Sequence, residues 1–214
     1  MKQARLDQLA DGIFAIAMTL LIFNLKIPVL ASPVTDKALW AALMANLPLL
    51  LSFIISFALL FTYWRGHHYI VSIYAKNIDI NLTTINAIFF FFIALVPFSG
   101  QLLGTYSQTP VATLIFGINV ILIGLSLYVM KKYVIRSSTI EINTMTPRDD
   151  KNGDIRILLP VVIAAIAIVV GFYNTTASFV LFTFSIVFNL IPSSTSWVTV
   201  IADFVFRHKH DASL

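Results

Sequence analysis

The residue types that could do chemistry in this sequence gather at its start, in Arg5-Leu6-Asp7-Gln8-Leu9-Ala10-Asp11-Gly12 and the apolar run that follows. Asp11 is an ionisable group entering that run. In a bilayer such a group costs about 2–3 kcal/mol at full depth, less near the interface, and usually faces the protein interior with a partner. Arg5 precedes it by six residues, about 240° round a helix, so the two pair poorly within one helix. Two readings stay open. Asp11 meets a partner on another helix or subunit, or it sits near a helix start, where the macrodipole favours a negative charge by about 0.3–1 kcal/mol. Beyond Asp11, the residues Gly12, Ile16, Thr19, Leu20 and Phe23 fall at helical spacing along one face. An apolar stripe in a membrane helix means lipid contact or core packing by default. The small Gly12 and the hydroxyl of Thr19 point instead to helix–helix contact or a lumen.

The other candidates carry less. His67 and His68 are adjacent, so on a helix they diverge by about 100° and do not share a metal as an i, i+4 pair does. They read as interfacial histidines at the end of a span, beside Trp64 and Arg65, types that anchor helices at the membrane surface. Gly171-Phe172-Tyr173 lies at the end of a span without a Thr-Val-Gly-Tyr-Gly loop or pore helix, so it is not a carbonyl-lined filter. Asn81-Leu82-Thr83 and Asn174-Thr175-Thr176 match the glycosylation sequon by chance. No Gly-x-Ser-x-Gly, His-Glu-x-x-His or Walker-type loop occurs, and there is no cysteine. Neither an enzyme, a cofactor nor a metal site is expected.

The elements that position these residues follow from composition. Of the 214 residues, 58% are hydrophobic and only 11% charged, and the mean hydropathy is +0.89. A soluble domain carries about 25% charged residues. An ordinary soluble enzyme, a disordered chain and a nucleic-acid binder with a basic surface stripe are all excluded. The chain belongs in a bilayer, whose core takes about 20 apolar residues per helix. Six stretches qualify: Leu9–Val29, Leu39–Tyr63, Leu82–Leu103, Pro110–Met130, Ile155–Tyr173 and Ser178–Val198. Runs such as Phe89-Phe90-Phe91-Phe92-Ile93 lack the alternation of a barrel strand. The spacing predicts an all-α membrane protein, one six-helix domain over 1–214. Pro48 and Pro97 should kink the second and third spans. Pro192-Ser193-Ser194 divides the sixth, which could end there and be followed by an amphipathic helix at Trp197–Phe206. The longest linker is Arg136–Asp154, with Pro147-Arg148-Asp149-Asp150 and Asn152-Gly153 as turn signals. The start is not read as a cleaved signal peptide, because the run is long and no Ala-x-Ala site follows.

Charge gives the orientation. Six spans put both termini, the second-to-third loop and the fourth-to-fifth linker on one side. That side holds twelve of the 14 Lys and Arg residues, against Lys26 and Lys37 on the other. The positive-inside rule makes it cytoplasmic. The opposite loops Gly104–Thr109 and Asn174–Ala177 carry no formal charge.

The first helix resembles the signature of the transmembrane protein 175 family, the lysosomal potassium and proton channels and their bacterial relatives. That signature is Arg-x-x-x-Phe-Ser-Asp followed by an Ile/Ala-rich stretch and Thr-Leu. Arg5, Asp11, Ile16, Thr19 and Leu20 stand in place, while Leu9 and Ala10 replace the Phe and Ser. Tyr63-Trp64-Arg65-Gly66-His67-His68 is similar to the family's Trp/His cluster. The resemblance implies a potassium-permeable cation channel in a bacterial inner membrane, a homotetramer in which four first helices line the pore. Its partners would be potassium and other monovalent cations and the lipid bilayer, with no nucleic acid. Ile16 would form a hydrophobic constriction, Thr19 a pore-facing hydroxyl, and Leu20 and Phe23 further layers. Arg5, Asp11, Trp64 and His67 or His68 would hold neighbouring helices in register. Selectivity for potassium over sodium would be modest, since no ring of fixed dipoles offsets dehydration. The competing class is a proton- or cation-coupled secondary transporter using Asp11, although the sequence shows neither inverted repeats nor interrupted half-helices with mid-membrane charges.

Overall fold

A backbone in hydrocarbon must satisfy its own N–H and C=O groups, and a helix does so within one segment. The computed structural model, which describes residues 3–190 except 31, 33 and 144–146, is accordingly helical. Its helices are α1 (Gln3–Leu20), α2 (Asp36–Ala45), α3 (Leu47–His68), α4 (Ile80–Ala94), α5 (Val96–Thr105), α6 (Pro110–Arg136), α7 (Pro147–Gly171) and α8 (Thr175–Leu190). A 3₁₀ turn at Leu21–Asn24 extends α1, and a π-helical turn at Tyr69–Tyr74 extends α3. Five segments are long and apolar enough to cross a bilayer: Gln3–Asn24, Leu47–Tyr74, Ile80–Thr105, Pro110–Arg136 and Asp150–Gly171. The apolar part of α8, Thr175–Ile186, is shorter. The rest of the predicted sixth span, with Pro192-Ser193-Ser194 and Trp197–Phe206, lies outside the described residues.

Three expectations need correction. The second span is not Leu39–Tyr63. Asn46 separates α2 from α3, and Pro48 sits in the first turn of α3, where its missing N–H has no intrahelical partner to lose. The helix therefore restarts instead of bending. Apolar residues run on both sides of Pro48, but α2 buries none of its residues, and the packed segment runs on to Tyr74. That shift overturns the interfacial reading for His67, which is only 1% exposed, while His68 stays exposed. Pro97 likewise sits in the first turn of α5: the chain breaks at Leu95 and resumes there, here within one span.

The third correction concerns the linker. Pro147-Arg148-Asp149-Asp150 and Asn152-Gly153 are not turns but the opening of α7. Proline and aspartate suit a helix N-terminus. Glycine costs a helix about 1 kcal/mol, and here it makes room: a Cβ on Gly153 would stand 2.8 Å from Lys131 Nζ. Lys131 pairs with Asp150 (2.7 Å) and Asp154 (2.8 Å), and Lys132 with Asp154 (2.6 Å). These pairs fasten the start of α7 to the end of α6.

The bundle is organised on α6, which packs against α3, α4, α5, α7 and α8. Small residues let the axes approach, the usual substitute for a hydrophobic drive among helices in lipid. Gly117 faces Ile168 and Phe182, and Gly124 faces Val161 and the Tyr63 hydroxyl. Across another seam, Gly100 and Gly104 of α5 lie on Ser56 and Ser52 of α3. At the basic end the loops are tied together. Lys76 N–H donates to Glu141 O (2.8 Å) and Asn143 N–H to Tyr74 O (2.9 Å). Asp79 caps α4 through Leu82 N–H and accepts from the Tyr133 and Thr139 hydroxyls. Partial desolvation pushes its carboxyl upward, but those donors outweigh it and hold the group below the usual carboxylate range.

A side chain at Gly104 would meet main chain that cannot swing aside, since its Cβ would lie 2.9 Å from Leu49 Cα. Gly104→Ala is expected to destabilise the protein by about 1–3 kcal/mol, the scale of overpacking a close contact. Thermal unfolding of purified protein in detergent would show a lower midpoint; an unchanged one would mean that α3 and α5 do not touch there.

Candidate functional site on the first helix

The first helix has two unlike faces. Leu6, Ala10, Phe14, Ala17 and Leu21 are buried, with spacings of three and four residues, so one stripe docks into the bundle. α1 packs on α3, α4 and α5. The stripe of Gly12, Ile16, Thr19, Leu20 and Phe23 is turned away from the chain. Ile16 is 61% exposed, Leu20 46% and Phe23 76%. A Cβ on Gly12 would meet nothing within 4 Å, so no contact within the chain requires a glycine there. The Thr19 hydroxyl donates back to Ala15 O (2.8 Å) and Ile16 O (3.0 Å), which leaves its oxygen lone pairs directed outward from the helix.

Asp11 lies eight residues after the helix start at Gln3, beyond the first turn where the macrodipole acts. Of the two readings left open, partnership on another helix is the one seen. Trp64 Nε1 of α3 donates to Asp11 Oδ1 at 2.8 Å. Trp64 in turn stacks on His68, with ring centroids 5.9 Å apart and planes at 19°. The structure thus joins Asp11, Trp64 and His68. Arg5 is exposed and makes no hydrogen bond or ion pair among the described residues.

His67 belongs to a different cluster, on the inner side of α3. Its Nε2 lies 2.6 Å from Asn86 Oδ1, and the Asn86 amide donates to Leu82 O at 2.8 Å. With the amide hydrogens engaged by Leu82, the Asn86 oxygen faces the imidazole, so Nε2 is the protonated nitrogen. His67 stacks on Phe89 at 5.4 Å and touches Phe14 of the first helix. Asn86 escaped the sequence reading. Its signal was an amide just ahead of Phe89-Phe90-Phe91-Phe92, where an unpaired polar group would be costly.

Two further contacts latch the start of α1. Gln3 donates to Val71 O and Ala75 O, and Ser72 donates to Asp7 Oδ1 at 2.9 Å. The π-helical turn supplies one of the carbonyls that Gln3 takes, and Ala75 directly after it supplies the other. At the other end, Asn24 donates to Pro97 O at 3.0 Å, next to the break in the third span. Polar contacts therefore pin the buried face at both ends and leave the stripe from Gly12 to Phe23 open. No group of three or more metal-ligating side chains gathers among the described residues.

Residues 5–97 match the family model described as endosomal/lysosomal potassium channel TMEM175. A protein of Chryseobacterium sp. (strain P1-3) named a potassium channel is 30% identical over 138 residues, covering 64% of this chain and 67% of that one. Proteins of the same name from Streptomyces collinus and Chamaesiphon minutus are 33% and 34% identical, each match covering about half of either chain. Among solved structures, the crystal structure of a lysosomal potassium-selective channel TMEM175 homolog from Chamaesiphon minutus superimposes with a TM-score of 0.74. It is 23% identical, and the match covers 87% of this chain and 95% of that one.

Removing the amide at position 86 should strand the buried His67. Asn86→Leu is expected to destabilise the protein by about 1–3 kcal/mol, the penalty for an unsatisfied buried donor. Chemical or thermal unfolding in detergent would read the change, and a neutral result would show that the imidazole finds another partner.

Proposed function

This chain belongs to the transmembrane protein 175 family, and on that premise we propose that it is a potassium-permeable cation channel whose pore is lined by four copies of α1. The observation that carries the reading is the open stripe of that helix. A lipid-facing surface gains nothing from a glycine, which costs a helix about 1 kcal/mol relative to alanine. A crowded crossing at a symmetry axis does need one. With one such stripe per chain, a closed ring of copies is required to enclose a lumen.

The side chains then have distinct roles. Four Ile16 side chains make a dry constriction that a hydrated cation crosses only when the helices splay or rotate. Thr19, one turn outward, presents hydroxyl oxygens whose protons are already given to the helix, a partial negative charge suited to cations. Leu20 and Phe23 form further apolar layers. Potassium is preferred over sodium because its weaker hydration shell is easier to strip, and the preference is modest because no carbonyl ring replaces that shell. Asp11 and Trp64 fix the rotation of α1, and Arg5, exposed at the same end, reaches a neighbouring copy. The positive-inside pattern places both termini in the cytoplasm of a bacterium, with one six-helix channel domain over residues 1–214 in the inner membrane.

Potassium and sodium flux into proteoliposomes is the direct test. Ile16→Asn puts four amides at the constriction, wets it, and should raise flux while weakening the potassium preference. Ile166→Asn is the control: it is 50% exposed on α7, which packs chiefly on α6 and α8. Equal effects of the two, or no gain from Ile16→Asn in folded protein, would remove Ile16 from the pore.

Cross-linking and native mass measurement test the assembly. A tetramer is expected, and Arg5→Ala should lower its yield more than it alters selectivity. A conducting monomer would overturn the shared pore.

A further inference from the structure

At the end of the bundle away from the basic loops, charge is sparse. Three charged residues fall there: Lys26, Asp36 and Lys37. Asp36 and Lys37 are neighbours in the first turn of α2, so seen from a distance their charges offset each other. Lys26 is left as the uncompensated charge. It is exposed and makes no hydrogen bond or ion pair among the described residues.

The end of α1 fixes where that charge sits. Asn24 closes the 3₁₀ turn that extends α1 and donates to Pro97 O at 3.0 Å. Lys26 follows two residues later, and two extended residues reach at most about 7 Å. A cavity of about 520 Å³ opens at this point, with Lys26, Asn24, Asn46, Gln101 and Tyr106 in its wall and no carboxylate among the described lining residues. The loops Gly104–Thr109 and Asn174–Ala177 carry no formal charge, so they do not offset Lys26 either.

Where α1 lines a pore, its end is the outer mouth. We propose that Lys26 from four copies forms a ring of positive charge at that mouth, which slows the entry of cations from the outer side and makes the channel pass potassium outward more readily than inward. This rests on the reading of α1 as the pore-lining helix. Four unit charges at about 8 Å, one Debye length at physiological ionic strength, lower the local concentration of a monovalent cation about threefold. A mouth with low-dielectric walls focuses such a field. At about 1 M salt the Debye length shrinks to about 3 Å, and the effect nearly vanishes. The ring acts where entry limits the current, at strong driving voltage, and it leaves the cytoplasmic mouth untouched.

Full-length protein in planar bilayers would be recorded in symmetric potassium chloride at about 0.15 M and about 1 M, at strong voltage of each sign. In the dilute salt, Lys26→Gln should raise inward potassium current about threefold and leave outward current nearly unchanged. Lys26→Glu should raise inward current further. In the concentrated salt both variants should converge on wild type. Lys37→Gln removes the same formal charge from α2, which packs on α3, and should change inward current far less. The chain has no cysteine, so Lys26→Cys takes a charged thiol reagent at one place only. A cationic reagent should return inward current to the wild-type level and an anionic one should raise it, which separates charge from folding. Inward current equal in Lys26→Gln and wild type, a rise that persists in concentrated salt, an equal rise in Lys37→Gln, or equal responses to the two reagents would overturn the ring. No potassium current from any variant would overturn the channel reading on which it rests.

Discussion

The hydrogen bond from Trp64 to the Asp11 carboxylate sets the rotation of the first helix, and the rest of the candidate site depends on that rotation. A carboxylate two turns into an apolar helix is costly where water is scarce, and a donor from a neighbouring helix offsets that cost. Trp64 is that donor. Once it is engaged, the helix has one way round: Leu6, Ala10, Phe14, Ala17 and Leu21 face the bundle, and the stripe from Gly12 to Phe23 faces out. The latches from Gln3 and Asp7 at one end and Asn24 at the other reinforce the same rotation.

The same shortage of water shapes the interior. Lipid tails are as apolar as leucine, so apolar side chains alone give helices little reason to associate. Close approach at glycine and serine, together with satisfied polar pairs, does that work. The Gly100–Ser56 and Gly104–Ser52 contacts hold α5 on α3, and Asn119 donates to Ser99 across α6 and α5. His67 and Asn86 join α3 to α4 directly behind Phe14 of the first helix. The basic end follows a different rule. There the helices emerge towards water, and ion pairs of Lys131 and Lys132 with Asp150 and Asp154 in the opening turns of α7 take over from packing.

Much of the architecture was legible in the sequence because length and hydropathy act locally. Five of the six predicted spans appear as segments able to cross a bilayer, and the break near Pro97 falls where proline demands it. The stripe on the first helix was legible from its helical spacing. What stayed hidden was long-range. The apolar run around Pro48 gives no sign that packing begins only after it, so the sequence alone puts the second span too early and His67 at the membrane interface. The turn signals at Asn152-Gly153 were local as well, and they were overridden by Lys131 from a helix twenty residues back.

By itself, the sequence determined that this chain is a helical membrane protein, that its basic residues collect at one end, and that Asp11 needs a partner. Each follows from the transfer cost of a group or a segment, which depends on composition and short-range order. Tertiary structure alone decided who the partners are. Trp64 rather than Arg5 meets Asp11, and Asn86 rather than a metal meets His67. The identity of a partner depends on how helices are turned and how closely they approach. Small residues and buried polar atoms set that geometry jointly, and no single stretch of sequence contains it.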